Sequence, residues 1–196
     1  MDVAIIDSGG ANISSVRFAL QRLGADTVFT DDPEVIARAD RVILPGVGAA
    51  GAAMAHLREG GLVEVLRRLT QPVLGICLGM QLLFESSEEG DEACLGILPG
   101  RLARLAGGPG IRIPHMGWNR ARVVREDPLL EGLAGGSWFY FVHSYCAPVS
   151  DVTLASCEHG QAFSAVVGRN NFRGAQFHPE RSAGAGARLL DNFLKL

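Results

Sequence analysis

The feature that most constrains this sequence is the segment Gly75-Ile76-Cys77-Leu78-Gly79-Met80-Gln81. Before it runs Gln71-Pro72-Val73-Leu74, an apolar stretch bounded by a proline and typical of the end of a buried strand. After it, Gln81-Leu82-Leu83-Phe84 is typical of the first turns of a helix. The flanking glycines allow a strained bend with positive φ, because glycine has no Cβ to clash. The sequence therefore predicts a strand–turn–helix unit with Cys77 at its turn.

A cysteine at such a turn is suited to nucleophilic chemistry. The bend presents the Cys77 side chain at the top of the sheet and points the N–H groups of the helix start toward the group that the thiol attacks. The positive end of a helix also favours the thiolate, which is the reactive form. The alternative is a small buried cysteine in a glycine-rich turn.

A second motif lies far downstream, where Gln176-Phe177-His178-Pro179-Glu180 follows a strand-like stretch. A nucleophilic cysteine needs a base, and the base needs a group that orients it. His178 and Glu180 are two positions apart, so on an extended segment both side chains leave the same face. Pro179 between them restricts φ and stiffens the pair. The alternative is a surface His-Pro-Glu turn.

Together, the Gly-x-Cys-x-Gly-x-Gln and Phe-His-Pro-Glu motifs resemble those of the class I glutamine amidotransferases, and the resemblance covers the whole chain. It implies an α/β, flavodoxin-like fold with a mostly parallel sheet flanked by helices. It also implies that Cys77 is the nucleophile, His178 the base and Glu180 the orienter of a glutaminase that acts on L-glutamine through a cysteine thioester. It implies no metal and no organic cofactor.

Composition is consistent with this interpretation. The 196 residues are expected to form one domain, 1–196, around a sizeable core. A net charge of −3 disfavours nucleic acid as a ligand. The absence of an 18-residue apolar run and of a charged-then-apolar leader predicts a cytoplasmic protein that does not enter the membrane. The three cysteines other than Cys77 lack CxxC spacing and are interpreted as packing residues: Cys94, Cys146 and Cys157.

Backbone N–H groups on two loops are predicted to hold an oxyanion. The predicted strand Arg41-Val42-Ile43-Leu44 runs into a glycine-rich loop that offers N–H groups near Val47. The second donor would be the N–H of Leu78, one residue past the nucleophile. The alternative for the loop is a simple turn between a strand and a helix.

Gln81 lies four residues past Cys77 and therefore on the same helix face, where its amide can pair with a substrate carboxylate or amide. The alternative is an ordinary polar residue in the first helical turn. The family resemblance adds four further glutamine contacts: Gly48, His143, Ser144 and Tyr145.

The half of the chain after Cys94 has a different pattern. Residues 117–125 and 137–145 alternate, which predicts antiparallel strands added to the parallel sheet. A closing helix is predicted from 183 to 196, with an apolar stripe of leucines and Phe193. The acidic stretch 85–92 is interpreted as a solvated loop and not as a metal site.

The segment Ile113-Pro114-His115-Met116-Gly117-Trp118-Asn119 predicts an exposed apolar patch for a partner. The alternative is that Trp118 belongs to the core. The segment resembles one family subgroup, the glutaminase subunits of imidazole glycerol phosphate synthase in histidine biosynthesis. That subgroup usually has glycine at Ala11 and often lysine at Arg181. The resemblance implies a heterodimer in which ammonia passes through a tunnel to a (β/α)8-barrel cyclase subunit, with these interface residues: Asn12, Pro114, Met116, Trp118 and Arg181.

Two alternatives stay open from the residues alone. Another triad glutaminase, such as the partner of pyridoxal phosphate synthase, would share the three catalytic residues but should lack the 114–119 segment. A non-catalytic binding subunit or a cysteine-based hydrolase of the same fold would need neither glutamine nor a cyclase.

Overall fold

The computed structural model describes residues 1–9, 13–133 and 135–196. The strands are β1 (Asp2–Ile6), β2 (Asp26–Thr30), β3 (Arg41–Leu44), β4 (Val73–Ile76), β5 (Ser86–Ser87), β6 (Glu92–Ala93), β7 (Arg101–Arg104), β8 (His115–Val123), β9 (Ser137–His143), β10 (Tyr145–Cys146), β11 (Thr153–Glu158), β12 (Ala162–Arg169) and β13 (Phe172–Ala175). The helices are α1 (Ile13–Arg22), α2 (Pro33–Arg38), α3 (Ala50–Glu59), α4 (Leu62–Arg67), α5 (Leu78–Leu82) and α6 (Ala183–Lys195). Short 3-10 turns cover Glu89–Asp91, Pro128–Leu130 and Pro179–Arg181.

A nine-stranded sheet organises the molecule in the order β2-β1-β3-β4-β13-β12-β11-β8-β9. Its first five strands are parallel, and β12, β11, β8 and β9 continue it with antiparallel pairing. This confirms the predicted α/β class with an antiparallel extension. A small second sheet with the strand order β10-β7-β5-β6 is formed by strands between residues 86 and 146.

Apart from Asp2 and Arg41, strands β1, β3 and β4 are apolar, because helices cover both faces of the sheet there. On β1, Val3 and Ile5 belong to an apolar cluster that includes the inner stripes of α1 and α6. Ala4 and Ile6 belong to a second cluster, packed against α2 to α5. Successive strand residues point to opposite faces, so one short strand contributes to two cores.

The strand before Cys77 and the strand before His178 are neighbours. β4 and β13 pair in parallel with Ile76 opposite Ala175. Because parallel strands end at the same edge of a sheet, the two segments that follow them emerge side by side.

The prediction that 85–92 is a loop is wrong, although Glu85, Glu88 and Asp91 are exposed to solvent as predicted. The stretch forms β5, a 3-10 turn and β6, and its carboxylates bind specific partners. Glu88 Oε2 accepts from Arg104 N at 2.9 Å, and Glu92 forms an ion pair with Arg58. Among the helices of the described ranges, none has the length and apolar character needed to cross a membrane.

Candidate active site

Cys77 occupies the turn between β4 and α5 with φ 54° and ψ −111°. A non-glycine residue at positive φ costs on the order of 1–3 kcal/mol and persists only where its surroundings enforce it. Here the Cys77 N–H donates to the carbonyl oxygen of Ala175 on β13 at 2.8 Å. The neighbouring strand thus holds the strained residue in place.

The flanking glycines have a different role from the one predicted. The positive φ belongs to Cys77 itself, whereas Gly75 and Gly79 allow close packing. A Cβ at Gly79 would lie 1.7 Å from the Leu44 carbonyl oxygen, and one at Gly75 would lie 2.6 Å from the Gly79 oxygen. The helix can therefore start directly against the end of β3, which brings two loops to one point.

His178 and Glu180 are in contact, but not on an extended segment. His178 has φ −96° and ψ 97°, and the chain then enters the 3-10 turn Pro179–Arg181, which contains Glu180. His178 Nδ1 lies 2.9 Å from Glu180 Oε1, and only 1% of the Glu180 side chain is exposed. The prediction of the pair's conformation is wrong, because Pro179 begins a helical turn and the carboxylate folds back onto the ring.

The ring of His178 and the Cys77 sulfur both line one cavity, and Nδ1 of the ring contacts Glu180. Burial alone lowers the pKa of His178, but interactions with the nearby Cys77 and with the Glu180 carboxylate outweigh burial and raise it from 6.5 to about 10. The surroundings therefore favour an imidazolium beside the sulfur, which is the proton arrangement that a thiolate nucleophile requires.

A cavity of about 290 Å³ opens at Cys77. Its walls include all the residues that the sequence analysis predicted for catalysis, oxyanion binding and glutamine binding except Glu180, which lies behind His178: Cys77, His178, Val47, Leu78, Gly48, Gln81, His143, Ser144 and Tyr145. Residues from four separate chain segments thus meet at one site.

The two predicted oxyanion donors lie on chain segments that touch, Val47 on the loop after β3 and Leu78 at the start of α5. Leu78 is the first residue of α5, where N–H groups have no partner within the helix. The loop that follows β3 packs against it, since a Cβ at Gly46 would lie 2.9 Å from both the Gly79 nitrogen and the Leu78 Cβ. Val47 follows Gly46 and lines the cavity beside Leu78.

Gln81 is already engaged within the protein. Its Nε2 donates to the Tyr145 carbonyl oxygen at 2.9 Å and to Gln176 Oε1 at 3.0 Å. Both amide hydrogens are used, so only Oε1 remains for a ligand. Of the two predicted pairings, the one with a substrate carboxylate is excluded, and the one with a substrate amide stays a prediction. Gln81 fastens the cavity wall at Tyr145.

Glu89 is a cavity residue that the sequence analysis missed. Its Oε2 accepts from the N–H of Ala50 at 2.9 Å, which fixes the side chain at the start of α3. A carboxylate held in this way can pair with an ammonium group. The acidic composition of 85–92 was a signal for it, but composition does not show which carboxylate turns inward.

Cys77 is the cysteine of the described ranges that lines this cavity. Burial raises the thiol pKa of Cys94 and Cys146 to about 11 and that of Cys157 to about 12. A thiol with so high a pKa is protonated and unreactive at neutral pH.

The predicted partner residues form an exposed face beside the site. Met116 is 64% exposed and Trp118 50% exposed, so the alternative that Trp118 belongs to the core is wrong. The Trp118 ring meets the Tyr140 ring edge-on at 6.0 Å, and the Arg181 guanidinium lies 4.9 Å from the centre of that ring. Pro114 is exposed and borders the cavity, and Asn12 lies outside the described residues.

Tyr140 was not predicted as part of this face. It lies opposite Trp118 across the β8–β9 pair and bridges Trp118 to Arg181. The alternating pattern of 137–145 was the available signal, because it places every second side chain outside. We refer to Met116, Trp118, Tyr140 and Arg181 as the aromatic face.

The sequence matches the family model "Glutamine amidotransferase class-I" over residues 4–196. A protein of Xanthomonas euvesicatoria pv. vesicatoria named imidazole glycerol phosphate synthase subunit HisH is 59% identical over 196 residues, covering 100% of this chain and 98% of that protein. The protein of the same name from Xylella fastidiosa, strain Temecula1, is 56% identical over 195 residues with the same coverage.

Solved structures agree at the level of the fold. A crystal structure of a glutamine amidotransferase gives a TM-score of 0.76 at 22% identity, covering 98% of this chain and 97% of that one. The structure of PurLQS from Thermotoga maritima gives 0.74 at 21% identity, with coverages of 99% and 97%.

Proposed function

Because this chain belongs to the class I glutamine amidotransferase family, we propose that it is the glutaminase subunit of imidazole glycerol phosphate synthase. It hydrolyses L-glutamine to glutamate and ammonia and delivers the ammonia to a cyclase subunit in histidine biosynthesis. The observation that carries the proposal is the placement of Cys77 and His178 on the wall of one cavity, with His178 Nδ1 2.9 Å from Glu180 Oε1.

Thioester formation is the first half of the proposed reaction. The Cys77 thiolate attacks the γ-carboxamide carbon of glutamine, and the carbonyl electrons move onto the oxygen. The N–H groups of Val47 and Leu78 donate to this oxyanion. His178, which is protonated in the resting site, gives its proton to the leaving ammonia as the C–N bond breaks.

Hydrolysis of the thioester is the second half. His178 is neutral once ammonia has left, so it can take a proton from a water molecule that attacks the thioester carbon. The second oxyanion collapses with release of glutamate and of the Cys77 thiolate, and His178 is again protonated. Glu180 keeps the ring oriented and stabilises its charge in both halves without carrying a proton.

The cavity suits an amino acid. Its volume of about 290 Å³ is at the lower end of the range for small-molecule pockets. Glu89 is placed to pair with the α-ammonium of glutamine, and the backbone of Gly48, Ser144 and Tyr145 with its α-carboxylate. His143 lines the cavity and supports the Ser144–Tyr145 wall.

We assign the partner as a (β/α)8-barrel cyclase that docks on the aromatic face. This face lies beside the cavity, and its tryptophan, tyrosine and arginine are the residue types that anchor interfaces. A barrel seated there would cover the site mouth, so that ammonia enters the partner and not the solvent.

A glutaminase assay of the purified chain, alone and with its cyclase, tests the proposal. We expect low activity alone and a clear rise when the cyclase and its nucleotide ligand are present. A glutaminase that responds equally to the synthase subunit of pyridoxal phosphate biosynthesis, or a chain inactive with every partner, would contradict it.

A further inference from the structure

Two buried histidines face each other across the β8–β9 pair next to the cavity. His115 and His143 are register partners, and each is less than 7% exposed. His115 Nδ1 lies 2.9 Å from His143 Nε2. At this distance one nitrogen must carry a hydrogen and the other a lone pair, so the two rings cannot take arbitrary tautomers.

The cavity end of the pair sets the tautomers. His143 Nδ1 lies 2.9 Å from the carbonyl oxygen of Tyr145, which can only accept. Nδ1 of His143 therefore carries the hydrogen, and its Nε2 accepts. It follows that His115 donates through Nδ1 and accepts through Nε2.

The other end of the pair fits the same assignment. Asn119 Nδ2 lies 3.1 Å from His115 Nε2 and donates to the Glu158 carbonyl oxygen at 2.9 Å. Asn119 Oδ1 accepts from the N–H of Arg120 at 2.8 Å, which fixes the orientation of the amide. Hydrogen bonds thus run in one direction, from Asn119 through His115 and His143 to Tyr145.

This chain of hydrogen bonds ends at the wall of the cavity. The Tyr145 oxygen also accepts from Gln81 Nε2, and the Ser144 oxygen accepts from the N–H of Leu105 at 2.9 Å. Both carbonyls of the Ser144–Tyr145 wall are therefore bound within the protein. In a trans peptide the N–H points away from the carbonyl, so the Tyr145 N–H lies on the opposite side from the Leu105 contact.

We propose that His115 and Asn119 are positioning residues for glutamine, which act through His143 to hold the Ser144–Tyr145 wall in its ligand-binding orientation. This proposal rests on the glutaminase function proposed above. Neither residue lines the cavity, so each acts only through the directed hydrogen bonds described here.

The surroundings keep both rings neutral, as the hydrogen-bond direction requires. His115 is stacked between His159 at 4.1 Å and Phe141 at 4.8 Å. Burial, followed by the nearby His143 and His159, lowers the pKa of His115 to about 3. Burial likewise lowers the pKa of His143 to about 4, although its bond to Tyr145 opposes the shift. A proton on either ring would place two N–H groups face to face.

Two substitutions at one position separate positioning from simple packing. In His115→Asn the amide nitrogen takes the place of Nδ1 and can still donate to His143. In His115→Gln the amide nitrogen takes the place of Nε2, and the donor to His143 is lost. Both variants remove the aromatic stack, so both should lose a similar amount of thermal stability.

The expected result is a split in KM measured with the cyclase complex. His115→Gln should raise KM for glutamine about tenfold relative to His115→Asn, which corresponds to one unsatisfied buried group. The kcat at saturating glutamine and the ammonia-dependent activity should stay close between the two. Asn119→Asp should also raise KM, because a carboxylate cannot donate to His115 Nε2.

Equal KM values in the two His115 variants, or a loss confined to kcat, would overturn the positioning role while the wild-type complex remains an active glutaminase. A wild-type complex without glutaminase activity would overturn the proposed function, and the positioning role with it. The two failures are therefore distinguishable in the same assay.

Discussion

The backbone N–H of His178 donates to the carbonyl oxygen of Tyr140 at 2.9 Å. The Ser182 hydroxyl completes this link, since it donates to the His178 oxygen at 2.7 Å and accepts from the Tyr140 N–H at 2.9 Å. The proposed base is therefore attached to the same residue whose ring contacts Trp118 and Arg181 on the aromatic face. The aromatic face and the proposed base are thus linked by hydrogen bonds through Tyr140 on β9.

The nucleophile gives the most direct prediction. Cys77→Ala should abolish glutamine hydrolysis, because no other cavity side chain can form the thioester. The complex with the cyclase should still use added ammonium, which bypasses the glutaminase step. Ammonia release from glutamine and synthase turnover with ammonium chloride are measured on the same preparation. Residual glutaminase activity in this variant would rule out the mechanism.

The roles of His178 and Glu180 predict an order of effects. Both Glu180→Gln and His178→Ala should reduce kcat. The kcat of Glu180→Gln should remain at least about tenfold above that of His178→Ala, because Glu180 orients the ring and does not transfer a proton. Glu180→Gln also removes the carboxylate charge that helps to raise the His178 pKa, so the pH at which His178 loses its proton should fall. If Glu180→Gln is the more damaging change, the assignment of roles is incorrect.

The aromatic face predicts a loss of partner affinity. Trp118→Ala and Arg181→Ala should weaken cyclase binding, and loss of a central aromatic anchor costs on the order of 2 kcal/mol. Phe29→Ala is a matched control, because Phe29 is 43% exposed on β2, at the opposite edge of the sheet from β9. Titration calorimetry decides the matter. Equal affinities for all three variants would place the interface elsewhere.

Histidine burial predicts that stability falls in mild acid. Between pH 6.5 and about 4 the unfolded chain protonates the side chains of His115 and His143 while the folded chain does not. Stability rises with pH wherever the unfolded state binds more protons. Each of the two histidines should therefore lower the free energy of unfolding by on the order of 2 kcal/mol between pH 6.5 and 5. Urea unfolding at both pH values should show a shallower dependence for His115→Asn.

His178 acts in a different pH range and with the opposite sign. The pKa of His178 is raised in the folded protein. Its contribution to the free energy of unfolding is therefore complete below pH 6.5 and is lost as pH rises toward about 10. Stability should therefore be greatest near pH 6.5. A His178→Asn variant whose stability falls just as steeply above pH 7 as that of the wild type would contradict this.

Close packing at the Cys77 turn predicts a sharp effect of one methyl group. Gly79→Ala should destabilise the protein by about 3 kcal/mol, because the new Cβ would meet the Leu44 oxygen. Gly184→Ala is the control, since its Cβ would meet nothing within 4 Å and alanine favours the helix by up to about 1 kcal/mol. Free energies of unfolding in urea compare the two.

The predictions that depend on local pattern are confirmed by the structure. Apolar runs identify β3 and β4, alternation identifies β8 and β9, and an apolar stripe identifies α6. These succeed because each pattern reports which face of an element is buried. The comparisons with known proteins confirm the family resemblance.

The predictions that fail depend on contacts between distant segments. No local pattern shows that Gln81 donates both amide hydrogens to Tyr145 and Gln176. No local pattern shows that Glu89 lines the cavity. The glycines beside Cys77 were assigned to backbone freedom, yet their role depends on Leu44, which lies a loop and two helices earlier in the chain. Such roles are determined only when the sheet is assembled.

The position of β13 between β4 and β12 has a consequence for biosynthesis. A ribosome makes β4 and Cys77 before β13 and His178, which lie much further along the chain. Until then the edge of β4 that β13 will cover stays open, and Cys77 lacks both the Ala175 acceptor and its base. Until residues 172–178 have been made, Cys77 thus lacks the neighbours that would make it reactive. The reactive centre can form only once β13 has paired with β4.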